Sequence, residues 1–136
     1  MPTPKLGQQA SITRSFSEQD VKDFARLSGD FNPIHIDPKF AKTTVFGQRI
    51  VHGVLVSSLF SNLLAEKVPG KGSIYLGQTF KFKKTVFFDQ TVTAKVDVIN
   101  VREDKPIVTL KTTCTNEKGE EVISGEAVLM FNPDID

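Results

Sequence analysis

The chain has 136 residues, a length typical of one domain and sufficient to bury a hydrophobic core. Its formal net charge of +1 gives no electrostatic reason to expect a nucleic acid or a membrane surface as partner. One cysteine excludes a disulfide framework, and the sequence shows neither a membrane-spanning apolar run nor a signal peptide, so we expect a cytoplasmic protein.

The chain begins with a predicted strand and a predicted helix. Residues 8–14 fit a strand, and residues 15–30 (SFSEQDVKDFARLSGD) predict a helix. Ser17 and Asp20 form a capping box at its start, and Gly29 ends it. Its predicted apolar face contains Val21, Phe24, Ala25 and Leu27.

Two further helices are predicted before the middle of the chain. Asp37 followed by Pro38 is a typical helix start and predicts a short helix over 38–43. Residues 49–67 (RIVHGVLVSSLFSNLLAEK) predict the longest helix, and its apolar residues surround most of its circumference. A helix of this kind is expected to be buried.

The second half of the chain alternates polar and apolar residues with the period of a strand. Four strands are predicted over 74–82, 91–98, 106–115 and 121–131. The parity of the apolar residues changes near 98–99, which indicates a β-bulge. The sequence NEKG at 116–119 predicts a hairpin turn.

This order of elements predicts an α+β domain. Short connections between the four strands imply antiparallel pairing, and the long apolar helix must be covered by the resulting sheet. An antiparallel sheet wrapped around a long central helix is the hot-dog fold. We therefore expect a single hot-dog domain over 1–136, with its core at about 8–131. A general two-layer α+β domain is the less specific interpretation.

The segment SGDFNPIHIDP, residues 28–38, carries most of the functional argument. Pro33 forces Asn32 out of helical geometry, so we expect the segment after the first helix to be extended and rigid. Asp30 and His35 across this kink can reach one water molecule, where one group takes a proton and the other gives one. In the alternative interpretation, Asp30 and Asn32 cap the local backbone and His35 is a buried structural histidine. A metal site at His35 and Asp37 is disfavoured, because no further residues complete a ligand set.

A second candidate site lies at the start of the longest helix. The N–H of Gly53 can hold a carbonyl oxygen at the positive end of the helix dipole. Gly53, Ser57 and Ser61 form a small polar stripe on an otherwise apolar helix. Alternatively, Gly53 only permits close packing and Ser61 bonds its own helix backbone.

Two other polar residues stand out near these sites. Gln78 falls on the apolar face of its strand, where it needs partners, so it either lines the site or supports it. His52 is a second candidate for the base, but we interpret it as structural and expect it to point away from the Gly53 stripe.

Three stretches give the chain a resemblance to the MaoC-like hydratases, over about Ser15 to Phe131. They are DFNPIHID, FGQRIVHGVLVSSLFSNLL and PGKGSIYLGQTFKF. The chain most resembles the short, single-hot-dog (R)-specific enoyl-CoA hydratases associated with polyhydroxyalkanoate supply. The resemblance implies reversible addition of water to trans-2-enoyl-CoA to give (R)-3-hydroxyacyl-CoA, with no cofactor and no metal.

The resemblance also implies roles for individual residues. Asp30 and His35 match the catalytic pair, Gly53 the N–H that binds the thioester carbonyl, Ser61 a hydroxyl of the site and Asn32 a supporting residue. Gln78 joins the substrate-binding set as our own inference from its strand position. The family's homodimers, with acyl-CoA lying across active sites near the interface, are expected here too. Leu63 and Leu64 are predicted to border the acyl chain.

Other functions remain open, because a fold does not determine an activity. A hot-dog acyl-CoA thioesterase also needs a carboxylate and an oxyanion-binding helix start, but it releases free CoA. A non-catalytic acyl-CoA binding protein would bind without turnover. A 3-hydroxyacyl-carrier-protein dehydratase of fatty acid synthesis would use the same residues on a different thioester carrier.

Overall fold

A computed structural model describes residues 3–132 and residue 134. The helices and strands follow one another as β1 (Gln9–Arg14), α1 (Glu18–Ser28), α2 (Pro33–Ile36), α3 (Pro38–Lys42), α4 (Gly53–Glu66), β2 (Ile74–Gln78), β3 (Lys81–Phe82), β4 (Val92–Val101), β5 (Ile107–Asn116) and β6 (Glu121–Met130). Among the described residues, no helix combines the length and apolar character needed to cross a membrane.

The strands form one antiparallel sheet in the order β1-β4-β5-β6-β2, and the short β3 pairs with β6 beside β2. Helix α4 packs across β4 and β1. Phe60, Leu63 and Leu64 of this helix are fully buried in a core shared with inward-facing residues of the sheet, among them Leu110 and Ile123. The predicted hot-dog arrangement, a sheet around a central helix, is confirmed.

Helix α1 begins as predicted but presents a narrower buried face. The hydroxyl of Ser17 accepts from the Asp20 N–H at 3.1 Å, and the Asp20 carboxylate accepts from the Ser17 N–H at 2.9 Å. Gly29 ends the helix in the left-handed conformation. Leu27, predicted to lie on the apolar face, is 74% exposed. It lies two residues, about 200° of helical rotation, beyond the buried Ala25.

The sequence predicts an extended segment after α1, but the structure shows a short helix within it. Asn32 is non-helical, as expected before a proline, but Pro33 then begins the short helix α2. Proline is well suited to the first position of a helix because its fixed φ is helical and no partner is needed for the missing N–H. The kink is therefore a short connection between two helices, α1 and α2.

The sheet confirms two predicted details and corrects a third. The bulge near 98–99 is present, since Val98 pairs with Leu110 and Asn100 with Thr109. The turn at 116–119 is also present, closed by the Gly119 N–H on the Asn116 carbonyl at 3.0 Å. The predicted single strand over 74–82 is instead β2 and β3, with a register shift between Tyr75 and Gly77. Both pieces pair with β6, the last strand, and not with β4, the next one.

Candidate active site

Asp30 lies in a turn that hydrogen bonds to neighbouring residues stabilise. Its N–H donates to the Ser28 hydroxyl at 3.1 Å, and its Oδ1 accepts from the Asn32 N–H at 3.1 Å. The side chain of Asn32 in turn accepts from the Ile34 N–H at 3.2 Å, which caps α2. These short-range bonds are typical of Asx turns. They hold the exposed Asp30 carboxylate at the end of α1, and they are the local backbone caps of the alternative interpretation. The supporting role that the resemblance implies for Asn32 stays a prediction.

His35 is buried on α2, and its ring has a defined tautomer. Its Nδ1 lies 2.8 Å from the carbonyl oxygen of Ile50. Because a carbonyl only accepts, Nδ1 carries the proton, and the neutral ring keeps its lone pair on Nε2. The Ile50 N–H donates to the Ile34 carbonyl at 3.2 Å and fixes the same two segments.

The surroundings of His35 favour its neutral form. Burial lowers the pKa of the imidazole below its ordinary value of 6.5, and the neighbouring His52 acts in the same direction. The bond to the Ile50 carbonyl and the charge of Asp30 oppose this shift without cancelling it. At neutral pH, His35 therefore presents an unprotonated nitrogen that can accept a proton.

Asp30, His35 and His52 converge, since one polar side-chain atom of each lies within 4.8 Å of the others. The structure thus brings the predicted pair, Asp30 and His35, close together. His52, which the sequence predicts to be structural and to point away from the Gly53 stripe, belongs to the same cluster. Its ring stacks on that of His35, with centroids 3.8 Å apart and planes inclined by 26°.

The stacking also limits what the cluster can bind. Ring nitrogens bind a metal along lone pairs that lie in the ring plane. Because the planes of His35 and His52 are nearly parallel, their lone pairs cannot both point at one ion. The arrangement suits proton transfer better than metal coordination.

Gly53 is the first residue of α4, directly after His52, and no side chain caps this helix. The N–H groups of its first turn are therefore available to an approaching oxygen. Beside Gly53 lies an apolar cavity of about 250 Å³. Its lining includes Val54, Phe82 and Ile123.

The polar stripe on α4 divides into a buried and an open part. Ser57 is buried, and its hydroxyl donates to the Val54 carbonyl at 2.7 Å, so it serves its own helix. Ser61 is exposed and lines a second cavity, of about 430 Å³, together with Gln78 and Phe80. Phe24, whose ring meets that of His52 edge-on at 4.8 Å, lines the same cavity. Phe24 thus links this cavity to His52, whereas Asp30, His35 and His52 are not among the residues that line it.

Gln78 has the partners that a polar group on an apolar strand face requires. Its Nε2 donates to the Thr112 hydroxyl at 3.0 Å and to the Thr79 carbonyl at 2.8 Å, and its Oε1 accepts from the Tyr75 hydroxyl. Thr112 is the residue that the sequence analysis missed. Its position was visible in the alternation, because it shares the inward face of β5 with Val108, Leu110 and Cys114.

Leu63 and Leu64 are fully buried in the core. The residues of α4 that line the 430 Å³ cavity are Val54, Ser57, Ser58 and Ser61. Contact between an acyl chain and either leucine would therefore require this cavity to extend into the core when a substrate binds.

Comparison with known proteins gives consistent matches over most of the chain. Residues 2–120 match the family model described as MaoC like domain. An (R)-specific enoyl-CoA hydratase of Aeromonas caviae is 52% identical over 125 residues, which cover 92% of this chain and 93% of that protein. A mitochondrial 3-hydroxyacyl-[acyl-carrier-protein] dehydratase of Arabidopsis thaliana is 37% identical over 135 residues, covering 97% of this chain and 80% of the relative.

A solved structure has nearly the same backbone. The (R)-hydratase from A. caviae involved in PHA biosynthesis superposes with a TM-score of 0.94 at 49% identity. The match covers 97% of this chain and all of that one, 100%.

Proposed function

Because the chain belongs to the MaoC-like domain family, we propose that it adds water to trans-2-enoyl-CoA and yields (R)-3-hydroxyacyl-CoA, and that it catalyses the reverse dehydration. The observation that carries this proposal is the convergence of the Asp30 carboxylate with the neutral ring of His35, whose tautomer the Ile50 carbonyl fixes. The (R) handedness rests on the 52% identity with the A. caviae hydratase.

The two groups suit a water molecule that becomes a nucleophile. Water has two protons to donate, and the Asp30 carboxylate and His35 Nε2 are both acceptors. A water held between them has its oxygen lone pairs free to attack C3 of the conjugated thioester. Holding the reactant in this way removes much of the entropic barrier.

The protons and electrons then balance without a cofactor. As the water oxygen bonds to C3, the electrons of the C2–C3 double bond move toward the thioester carbonyl, which becomes an enolate oxygen. One of the two acceptors takes a proton from the water and then returns it to C2. The net result is one hydroxyl group on C3 and one hydrogen on C2.

The start of α4 is suited to the developing negative charge. A carbonyl oxygen placed at the Gly53 N–H would lie at the positive end of the helix dipole. Loss of one such donor in comparable sites raises the barrier by about 3–4 kcal/mol. Ser61, Asn32 and Gln78 are assigned supporting roles: Asn32 and Gln78 through their bonds to neighbouring groups, and Ser61 as part of the cavity lining.

We further propose a homodimer in the cytoplasm, with each active site near the interface. Two observations support a partner on the sheet. Strand β2 lies at the edge of the sheet, and it exposes Ile74, Tyr75 and Leu76 by 41% or more. Light scattering would then give twice the chain mass of 15.1 kDa.

The test is the loss of enoyl-thioester absorbance when the protein meets crotonyl-CoA, followed by chiral analysis of the product and a free-thiol assay. Asp30→Asn and His35→Ala should each abolish turnover while leaving the fold intact. Asp23→Asn is the matched control, because it makes the same change at an exposed position of α1.

Each result has a distinct meaning. An (R)-3-hydroxy product with no free CoA, lost in both site variants and kept in the control, supports the hydratase. Free CoA would identify a thioesterase, and binding without turnover would identify a binding protein. A strong preference for carrier-protein thioesters would instead favour the activity named for the Arabidopsis relative.

A further inference from the structure

His52 is the most buried titratable side chain beside the proposed catalytic pair. It is 2% exposed, and it occupies the N-cap position of α4, directly before Gly53. Its Nε2 lies 3.0 Å from the main-chain carbonyl oxygen of Asp30. One side chain therefore connects the start of α4 with the turn that holds the Asp30 carboxylate.

The bond to Asp30 determines which nitrogen of the neutral ring carries the proton. Because the carbonyl only accepts, Nε2 is the donor and Nδ1 keeps a lone pair. This Nδ1 is buried and has no hydrogen-bond partner among the described residues. A buried polar atom without a partner destabilises a fold, whereas the larger ring of a phenylalanine would bury no polar atom. Since Nδ1 makes no hydrogen bond, the polar contribution of His52 at this position is its Nε2–H donor.

The ring faces of His52 are equally constrained. One neighbour is the stacked ring of His35 at 3.8 Å, and another is Phe24, edge-on at 4.8 Å. The hydrogen bond to Ile50 fixes one nitrogen of His35, and the Cβ atom anchors the other side of the ring. The stacked His52 ring supports one face of the imidazole and opposes its tilting, so it helps to keep His35 Nε2 in place.

We propose that His52 is a positioning residue, which fixes the Asp30 main chain by its hydrogen bond and the His35 ring by stacking. Its effect on catalysis rests on the proposed hydratase function. It does not act as a second base, because its unprotonated Nδ1 is buried away from solvent. It acts through the two groups that touch the water.

Two substitutions separate the two contacts. His52→Phe keeps a ring for stacking and removes the donor to Asp30, while His52→Gln keeps an N–H donor and removes the ring. We expect each to lower kcat about 10- to 100-fold, with a smaller change in KM, because both displace groups that act on the bound substrate. Thermal denaturation of both variants checks that the fold is retained.

A second measurement does not depend on activity. The chain has only two histidines, so in either variant the single remaining imidazole signal belongs to His35. Nitrogen chemical shifts of this ring report its tautomer and its titration. In His52→Gln we expect the titration midpoint of His35 to rise and the Nδ1–H tautomer to become mixed with the other. In His52→Phe, where stacking is kept, the tautomer should change less.

The outcomes distinguish this proposal from the proposed function. If the parent protein hydrates no enoyl-CoA but the His35 signals respond to His52→Gln, the hydratase proposal fails and the positioning role stands. If both variants keep kcat within about twofold, or lose it while the His35 signals stay as in the parent, His52 does not position the pair. If one of the two variants does not fold, the kcat and the His35 signals of the other variant test the positioning role.

Discussion

The ring of Phe82 lies against the backbone of Gly53 so closely that a Cβ atom on residue 53 would stand 2.8 Å from two of its carbons. Phe82 is the last residue of β3, and Gly53 is the first residue of α4, where the thioester oxygen is proposed to bind. A glycine therefore leaves the Phe82 ring in place and also gives access to the N–H. The two explanations that the sequence left open are compatible.

Gly53→Ala should accordingly lower both stability and activity. The added methyl group overlaps Phe82, and overpacking of this kind destabilises by about 1–3 kcal/mol. Phe82→Leu removes the overlapping ring carbons, so the double variant should be more stable than the sum of the single effects, by about 0.5–3 kcal/mol. Chemical denaturation of the four proteins measures this coupling. Strict additivity would mean that Phe82 is not what residue 53 meets.

A second glycine is required by the backbone itself. A Cβ atom on Gly125 of β6 would lie 1.8 Å from the carbonyl oxygen of Thr79, in the interruption between β2 and β3. Thr79 is also bonded to Glu126 by its N–H at 2.9 Å and by its hydroxyl at 3.0 Å, so it cannot easily move away. Gly125→Ala should destabilise by about 3 kcal/mol or more.

Gly77→Ala is the matched control for both glycine variants. A Cβ atom on Gly77 would meet nothing within 4 Å, and the residue does not have a positive φ. Its effect on the free energy of unfolding should stay within about 0.5 kcal/mol. A Gly125→Ala protein as stable as this control would contradict the close approach of Thr79 to β6.

The hydroxyl of Thr112 should be needed by Gln78. Thr112→Val keeps the shape of the buried side chain but removes the acceptor of the Gln78 Nε2–H. We expect a loss of about 1 kcal/mol, since Gln78 keeps its bond to the Thr79 carbonyl. Thr112→Ser keeps the hydroxyl and should preserve the hydrogen bond. The contrary result in urea denaturation is that Thr112→Val is as stable as the parent and Thr112→Ser is less stable. Packing of the side chain would then matter more than its hydrogen bond to Gln78.

Local signals in the sequence predicted much of the fold. The capping box at Ser17, the terminating Gly29 and the bulge near Ile99 each depend on residues close in the chain, and the structure confirms all three. The pairing of β2 and β3 with β6 was not visible, because it depends on a contact across the whole second half of the chain. The register shift beside Leu76 was also not visible, because the apolar residues keep the same alternation on both sides of it.

The sequence also predicted only the part of the candidate site whose residues lie close together in the chain. Asp30 and His35 lie in one short segment, so their chemistry could be recognised together. His52 joins them from a distant position, and the stacked contact depends on α4 starting beside α2. The sequence also predicted that the four residues preceding Gly53 belong to the long helix, but they lie outside it. This part of the chain is held by the hydrogen bond between Ile50 and Ile34 and by the β-bridge between Ile50 and Phe87.

The lowered pKa of His35 predicts how stability depends on pH. Burial keeps this pKa below 6.5, so the unfolded chain binds a proton more readily than the native protein as the pH falls. The contribution of His35 to the free energy of unfolding is therefore complete above pH 6.5 and is lost as the pH falls from there through the native pKa. His35→Gln has no such group. The stability difference between parent and variant, measured by urea denaturation at about pH 8 and about pH 5, should shift against the parent at the lower pH. A difference that stays constant, or that shifts in favour of the parent, would contradict the buried neutral imidazole on which the proposed water activation depends.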